Sequence, residues 1–139
     1  MKRILIVILF IGFLLKVQAQ ENEGKIEVVK LAESTKSWNG DALPSYPNGQ
    51  PKITILKITI PPHAKLELHK HLVINAGVLT KGELTVVDDK QNTLELKAGD
   101  TIVELVNTYH YGENKGNEPA EIIVFYAGTE KMPITVKKE

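Results

Sequence analysis

From Lys25 onward this chain is a succession of short β-branched runs, broken repeatedly by Gly, Pro, Asn or Asp. Runs such as "KITILKITI", "INAGVLT", "GELTVVDD" and "EIIVFYAG" have the length and punctuation of strands, and no segment after residue 20 keeps a useful helical period. "DDKQN" reads as a hairpin loop and "KAGD" as a tight turn. "KIEVVKLAES" reads as a first strand, followed by a long Gly- and Pro-rich loop, "TKSWNGDALPSYPNGQP". A loop of that length in a small domain is expected to cover something. Beyond residue 20 the aromatic side chains are Trp38, Phe125 and the four tyrosines, so the core must be built from Ile, Val and Leu. Together these features specify an all-β sandwich or barrel.

The first nineteen residues are of another kind. Lys2 and Arg3 precede an apolar run from Ile4 to Leu15, and Val17-Gln18-Ala19 places small residues where a signal peptidase inspects them. The run is shorter than the ~20 residues of a spanning helix. Residues 1–19 are therefore expected to be a signal peptide, with the mature domain secreted or periplasmic and free of the membrane; an uncleaved anchor is the alternative. The chain has no cysteine, so neither a lipid-modified cysteine nor a disulfide is available. Cleavage would remove three of the 17 basic groups and none of the 17 acidic ones, for a net charge of −3. No basic block remains that would suit nucleic acid.

"LHKHLVINAGVLTKG" carries the chemistry. On a strand His69 and His71 face the same way, their Cα atoms about 7 Å apart, a spacing that lets two imidazoles grip one ion. Three residues separate His71 from Asn75, and Gly82 closes the stretch. Farther on, Gly99-Asp100 opens a second stretch that reaches His110 and Asn114. This layout resembles the cupin family, whose motifs run G-x5-H-x-H-x3,4-E-x6-G and G-x5-P-x-G-x2-H-x3-N. The first falls on His63–Gly82 and the second on Gly99–Asn114, with residues 83–98 between them. The resemblance spans about residues 53–127. It implies a jelly-roll, or double-stranded β-helix, barrel holding one divalent transition metal (Fe, Zn, Cu or Ni) inside through His69, His71 and His110.

The departures from the motifs are specific. The family's glutamate is Asn75, its opening glycine is His63, its proline is Leu105 and its second-motif glycine is Asn107. Asn107 can still take a left-handed conformation. Asn75 changes the chemistry: an ion held by three imidazoles and an amide, or by three imidazoles and water, keeps its full charge and attracts anions more strongly. The donor set then suits zinc, copper, nickel or iron better than manganese. Loss of the metal is the opposite reading of the same residue.

Other residues are weighed around that centre. Glu67 shares strand parity with the histidines, so it either enters the cavity or lies in solvent at the strand's beginning. The direction of Glu104 is undecided. Tyr109 and Tyr111 alternate with His110 and should pack outside, Tyr111 as a pocket lid being the lesser reading. Asn114 is expected to cap a turn or to support the site by a hydrogen bond, and His63 to lie exposed in a turn. Trp38 and Tyr46 either wall a pocket or cover one end of the barrel.

The expected organisation is thus a signal peptide over 1–19, a strand and covering loop over 20–52, the barrel over 53–127 and a tail over 128–139 that can add an edge strand. The apolar character of both faces of "VINAGVLTKGELTVV" and "EIIVFYAG" points to a homodimer. The expected function is binding of, or action on, a small polar or anionic molecule at the metal. That action would be of oxygenase or isomerase type if catalytic; the alternative is non-catalytic capture of a ligand or metal in the periplasm.

Overall fold

The computed structural model describes residues 24–139; the expected signal peptide lies outside them. Nine strands form: β1 (Pro51–Ile60), β2 (His69–Lys70), β3 (Ile74–Lys81), β4 (Glu83–Asp88), β5 (Thr93–Lys97), β6 (Thr101–Val103), β7 (His110–Glu113), β8 (Ala120–Thr129) and β9 (Val136–Lys137). There is no helix among the described residues. One sheet has the order β1-β8-β3-β6 and the other β5-β4-β7-β2-β9, with every strand pairing antiparallel.

Alternation decides which side chains meet between the sheets. Along β8, Ala120, Ile122, Val124 and Tyr126 are buried while Ile123 and Phe125 are not. They join Ile60, Leu79, Leu84 and Val86 in one hydrophobic cluster, largely the Ile-, Val- and Leu-based core the composition requires. The hairpin β4–β5 closes on "DDKQN", where the Asp88 carboxylate accepts the backbone N–H groups of Lys90 and Asn92. Gly82 sits at φ +73, and a Cβ there would meet the Pro119 carbonyl oxygen at 2.7 Å, so the turn before β4 requires glycine. Asn107 is left-handed at φ 60, as its place in the motif demands. His63 holds the same φ and is exposed in its turn.

The expected first strand does not form. Residues 24–34 are irregular, and Ile26, Val28, Val29 and Leu31 are exposed. β propensity gives a strand only where a neighbouring strand offers a ladder, and this segment has none among the described residues. Just beyond it the chain is anchored to β6, with the Trp38 amide donating to the Val103 carbonyl at 2.9 Å and the Ser37 hydroxyl to the Glu104 carbonyl at 2.8 Å. Trp38 packs on the core's edge and Tyr46 is exposed. The loop is a strap beside β6 rather than a pocket wall. The barrel strands begin at Pro51 and end at Thr129, slightly outside the expected 53–127. In the tail, Val136–Lys137 pairs with β2 as an edge strand.

Candidate metal centre

The two motifs meet by direct cross-strand pairing. His69 on β2 and His110 on β7 are opposed partners in the antiparallel ladder, and His71 forms a bridge with Val106 just beyond β2. The ring centroids lie 4.7 Å apart for His69–His110 and 5.0 Å apart for each of the other two pairs. One ring nitrogen from each residue falls within 4.8 Å of the others. His71 and His110 are buried, and His69 is half-buried at the cavity side.

Backbone carbonyls fix the orientation of each ring. Nδ1 of His69 lies 2.7 Å from the Glu67 carbonyl, that of His71 2.9 Å from Ile134 and that of His110 2.9 Å from Thr108. A carbonyl oxygen only accepts, so each Nδ1 carries the proton and each Nε2 presents a lone pair. Burial holds the pKa of all three imidazoles below the ordinary value, His71 at about 4. At neutral pH the cluster is three neutral bases with the tautomer that ligation needs. The C-terminal tail contributes to this arrangement through Ile134, a support with no mark in the motif.

Two further groups face the centre. Asn75, on β3, is buried; its amide nitrogen donates to the Val73 carbonyl while its Oδ1 is buried without a partner, as is Nε2 of His110. Glu104, immediately after β6, brings Oε2 to 3.4 Å from His110 Nε2. Its backbone amide donates to the Asn75 carbonyl at 3.0 Å, so the two residues are neighbours across the sheet. Burial pushes the Glu104 carboxyl up to about 7. Unpartnered acceptors on Asn75 and His110 are costly unless a cation or a donor meets them, and a soft-to-borderline divalent ion suits such a set. The residues present fit the metal that the motifs imply.

The remaining site residues are placed as follows. Glu67 is exposed at the cavity mouth, 2.5 Å from Lys137 Nζ, and its carboxylate is held below its ordinary pKa by the hydrogen bond and charge of that lysine. Tyr111 lies outside the cavity with Lys65 Nζ 3.7 Å above its ring, so the lid reading is corrected: alternation along β7 turns it away from His110. Asn114 does not line the cavity. Its amide donates to the carbonyls of Ile60, Pro61 and Glu118 while its Oδ1 accepts from Gly116 N–H, which makes it the tie between two turns.

The cavity has a volume of about 480 Å3. Its polar groups are His69, His71, His110, Asn75, Glu104 and Tyr126, with Lys65, Glu67, Thr135 and Lys137 also on its lining. The rest of the wall is chiefly Leu56, Ile58, Leu66, Leu84, Val86 and Val124.

A family model described as "Cupin domain" matches residues 56–126, just over half of the 139 residues. The chain belongs to the cupin family. Among solved structures, an uncharacterized conserved protein with a double-stranded β-helix domain from Klebsiella pneumoniae is 21% identical with a TM-score of 0.53, covering 70% of this chain and 90% of that one. Lactobacillus farciminis oxalate decarboxylase, in a formate complex, is 22% identical with a TM-score of 0.53, over 61% of this chain and 26% of that one. The DMSP lyase DddQ from Ruegeria pomeroyi is 15% identical with a TM-score of 0.55, over 62% and 43%. This chain thus spans less than half the length of those two enzymes, and the likeness is one of fold. A search of curated protein sequences finds no match.

Proposed function

We propose that this chain is an exported cupin that holds one divalent transition-metal ion through Nε2 of His69, His71 and His110 and acts on a small organic molecule in the cavity. The observation that carries the reading is the common orientation of the three rings: three carbonyls hold the three Nδ1 protons, which leaves three lone pairs facing one another. Bound there, the ion supplies a Lewis acid or an oxygen-activating centre, the chemistry behind an isomerase- or oxygenase-type reaction.

The protein's own groups have separable tasks. The three histidines set the position, and Asn75 Oδ1 offers a neutral oxygen to the ion or to a donor on the ligand. Glu104 beside His110 has a carboxyl near neutrality, suited to holding a proton taken from a bound molecule and returning it. The solved relatives include proteins named for oxalate and for DMSP, in keeping with a small-molecule ligand here.

The signal-like residues 1–19 support export. A homodimer is the natural cover for the outer face of the β1–β8 pair, where Ile53, Ile55 and Phe125 are exposed and Ile55 and Phe125 are direct partners.

Metal analysis of untagged protein grown metal-replete tests the reading. About one equivalent is expected, lost in a folded His69→Ala/His71→Ala variant. A content below roughly a tenth of an equivalent, or one unchanged in the variant, overturns it.

A further inference from the structure

The register of the two sheets sorts the cavity lining into rungs. On β8 the inward residues are Tyr126, Val124 and Ile122, and β3 sets Asn75 opposite Tyr126, Gly77 opposite Val124 and Leu79 opposite Ile122. In the facing sheet, His110 pairs with Asp88 and Gly112 with Val86, with Leu84 two residues farther along β4. The polar donors therefore occupy the rung of Asn75, Tyr126 and His110. Moving along the strands by ~7 Å per inward residue, the next rungs offer Val124, Val86 and Gly112, then Ile122 and Leu84. β1 adds Leu56 and Ile58, opposite Val124 and Ile122. At Gly112 the wall carries no side chain at all, and a Cβ there would already touch Leu66 and Leu84 at 3.4 Å.

Charge completes the picture. Arg3 is the only arginine in the sequence, so the barrel has no guanidinium to fork a carboxylate. Of the two lysines on the lining, Lys65 lies over Tyr111 and Lys137 is paired with Glu67. Glu104, beside the histidines, is an acid and adds no cation to the centre. A compact dianion would find one attractive centre and then only aliphatic wall, and it would leave most of a 480 Å3 cavity unfilled.

We propose that the molecule this cavity accepts has one metal-chelating head and an apolar alkyl or aryl body, the head meeting the three-histidine rung and the body lying along Val124, Val86, Leu84 and Leu56. This deepens the proposed function and rests on its metal site for the head alone; the body is read from the wall.

The test is calorimetric binding of n-alkyl hydroxamates of two to eight carbons, with oxalate alongside, to Zn(II)-loaded protein. Each added methylene is expected to tighten binding by up to about fourfold until the wall is used up, with octanohydroxamate tighter than oxalate. Val124→Thr keeps the side-chain shape and exchanges a methyl for a hydroxyl, and Leu56→Asn changes a wall position that is 36% exposed. Each variant should flatten the dependence on chain length, while acetohydroxamate binds as before. Affinity independent of chain length, or oxalate the tightest ligand, overturns the proposal and leaves the metal reading intact. Repeating the series on metal-free protein separates the two claims. If Zn(II) does not bind but the chain-length dependence persists, the apolar body stands and the metal reading fails. If the dependence is absent in the metal-free and the Zn(II)-treated protein alike, the proposed body is refuted.

Discussion

Glu104→Gln in the metal-free protein should make the fold more stable, and only on the alkaline side. Burial, partly offset by the N–H of Leu105 and by His69, raises the Glu104 carboxyl from 4.5 to about 7. The folded state thus holds a proton that the unfolded chain has released. This group's favourable contribution is complete below pH 4.5 and is lost as pH rises through 7. At about 1.4 kcal/mol per pKa unit, the loss at pH 8 is about 3 kcal/mol. Gln is neutral and close in shape, and its amide oxygen can still accept from Leu105, so the variant avoids the loss. Urea unfolding at pH 4.5 and pH 8 is the assay. Near-equal midpoints are expected at pH 4.5, with the variant's midpoint higher by roughly 1–3 M at pH 8. A bound divalent cation should shrink the difference by compensating the carboxylate. Equal changes at both pH values, or a less stable variant at pH 8, would refute the account of Glu104 as a buried acid beside the centre.

Four further outcomes follow from the same geometry. His71, held by burial at about 4 against an ordinary 6.5, contributes stability that is present above 6.5 and lost as pH falls towards 4, up to about 3 kcal/mol; in wild type the opposite trend of Glu104 masks this, so the Glu104→Gln protein should show the acid loss openly in urea titrations from pH 7 to 4. Asn75→Glu restores the carboxylate of the family motif and should shift metal preference towards Mn(II), read by competitive binding of Mn(II) and Zn(II). Asn114→Ala strands the carbonyls of Ile60, Pro61 and Glu118 and should cost about 2–4 kcal/mol, seen as a lower thermal midpoint with metal stoichiometry unchanged. Light scattering should give twice the protomer mass for wild type and the protomer mass for Ile55→Lys/Phe125→Lys, which puts charge on the exposed face of the β1–β8 pair.

The readable and unreadable parts of this chain divide along a physical line. Spacing within one strand is local, so the pairing of His69 with His71 was legible, as was the aliphatic all-β core, whereas the link to His110 came only through the resemblance to the cupin motifs. Register is not local: only the folded sheets show that His69 and His110 are direct partners, or that Ile134 from the tail holds the His71 ring. Glu67 lies exposed just before the strand, which starts at His69, in keeping with the reading of solvent at the strand's beginning, and it sits at the cavity mouth. Parity left the direction of Glu104 undecided because β6 ends at Val103, after which Glu104 and Leu105 are both buried. The segment at Lys25–Ser34 has the composition of a strand and forms none, since composition cannot say whether a ladder stands beside it.

The most direct test of the centre is anomalous diffraction from crystals of the untagged protein grown with Co(II) or Zn(II). A single strong peak is expected about 2.0–2.1 Å from Nε2 of His69, His71 and His110 together. A map with no peak among those three nitrogens, or with the ion bound through Nδ1 after the rings have left their carbonyls, would contradict it.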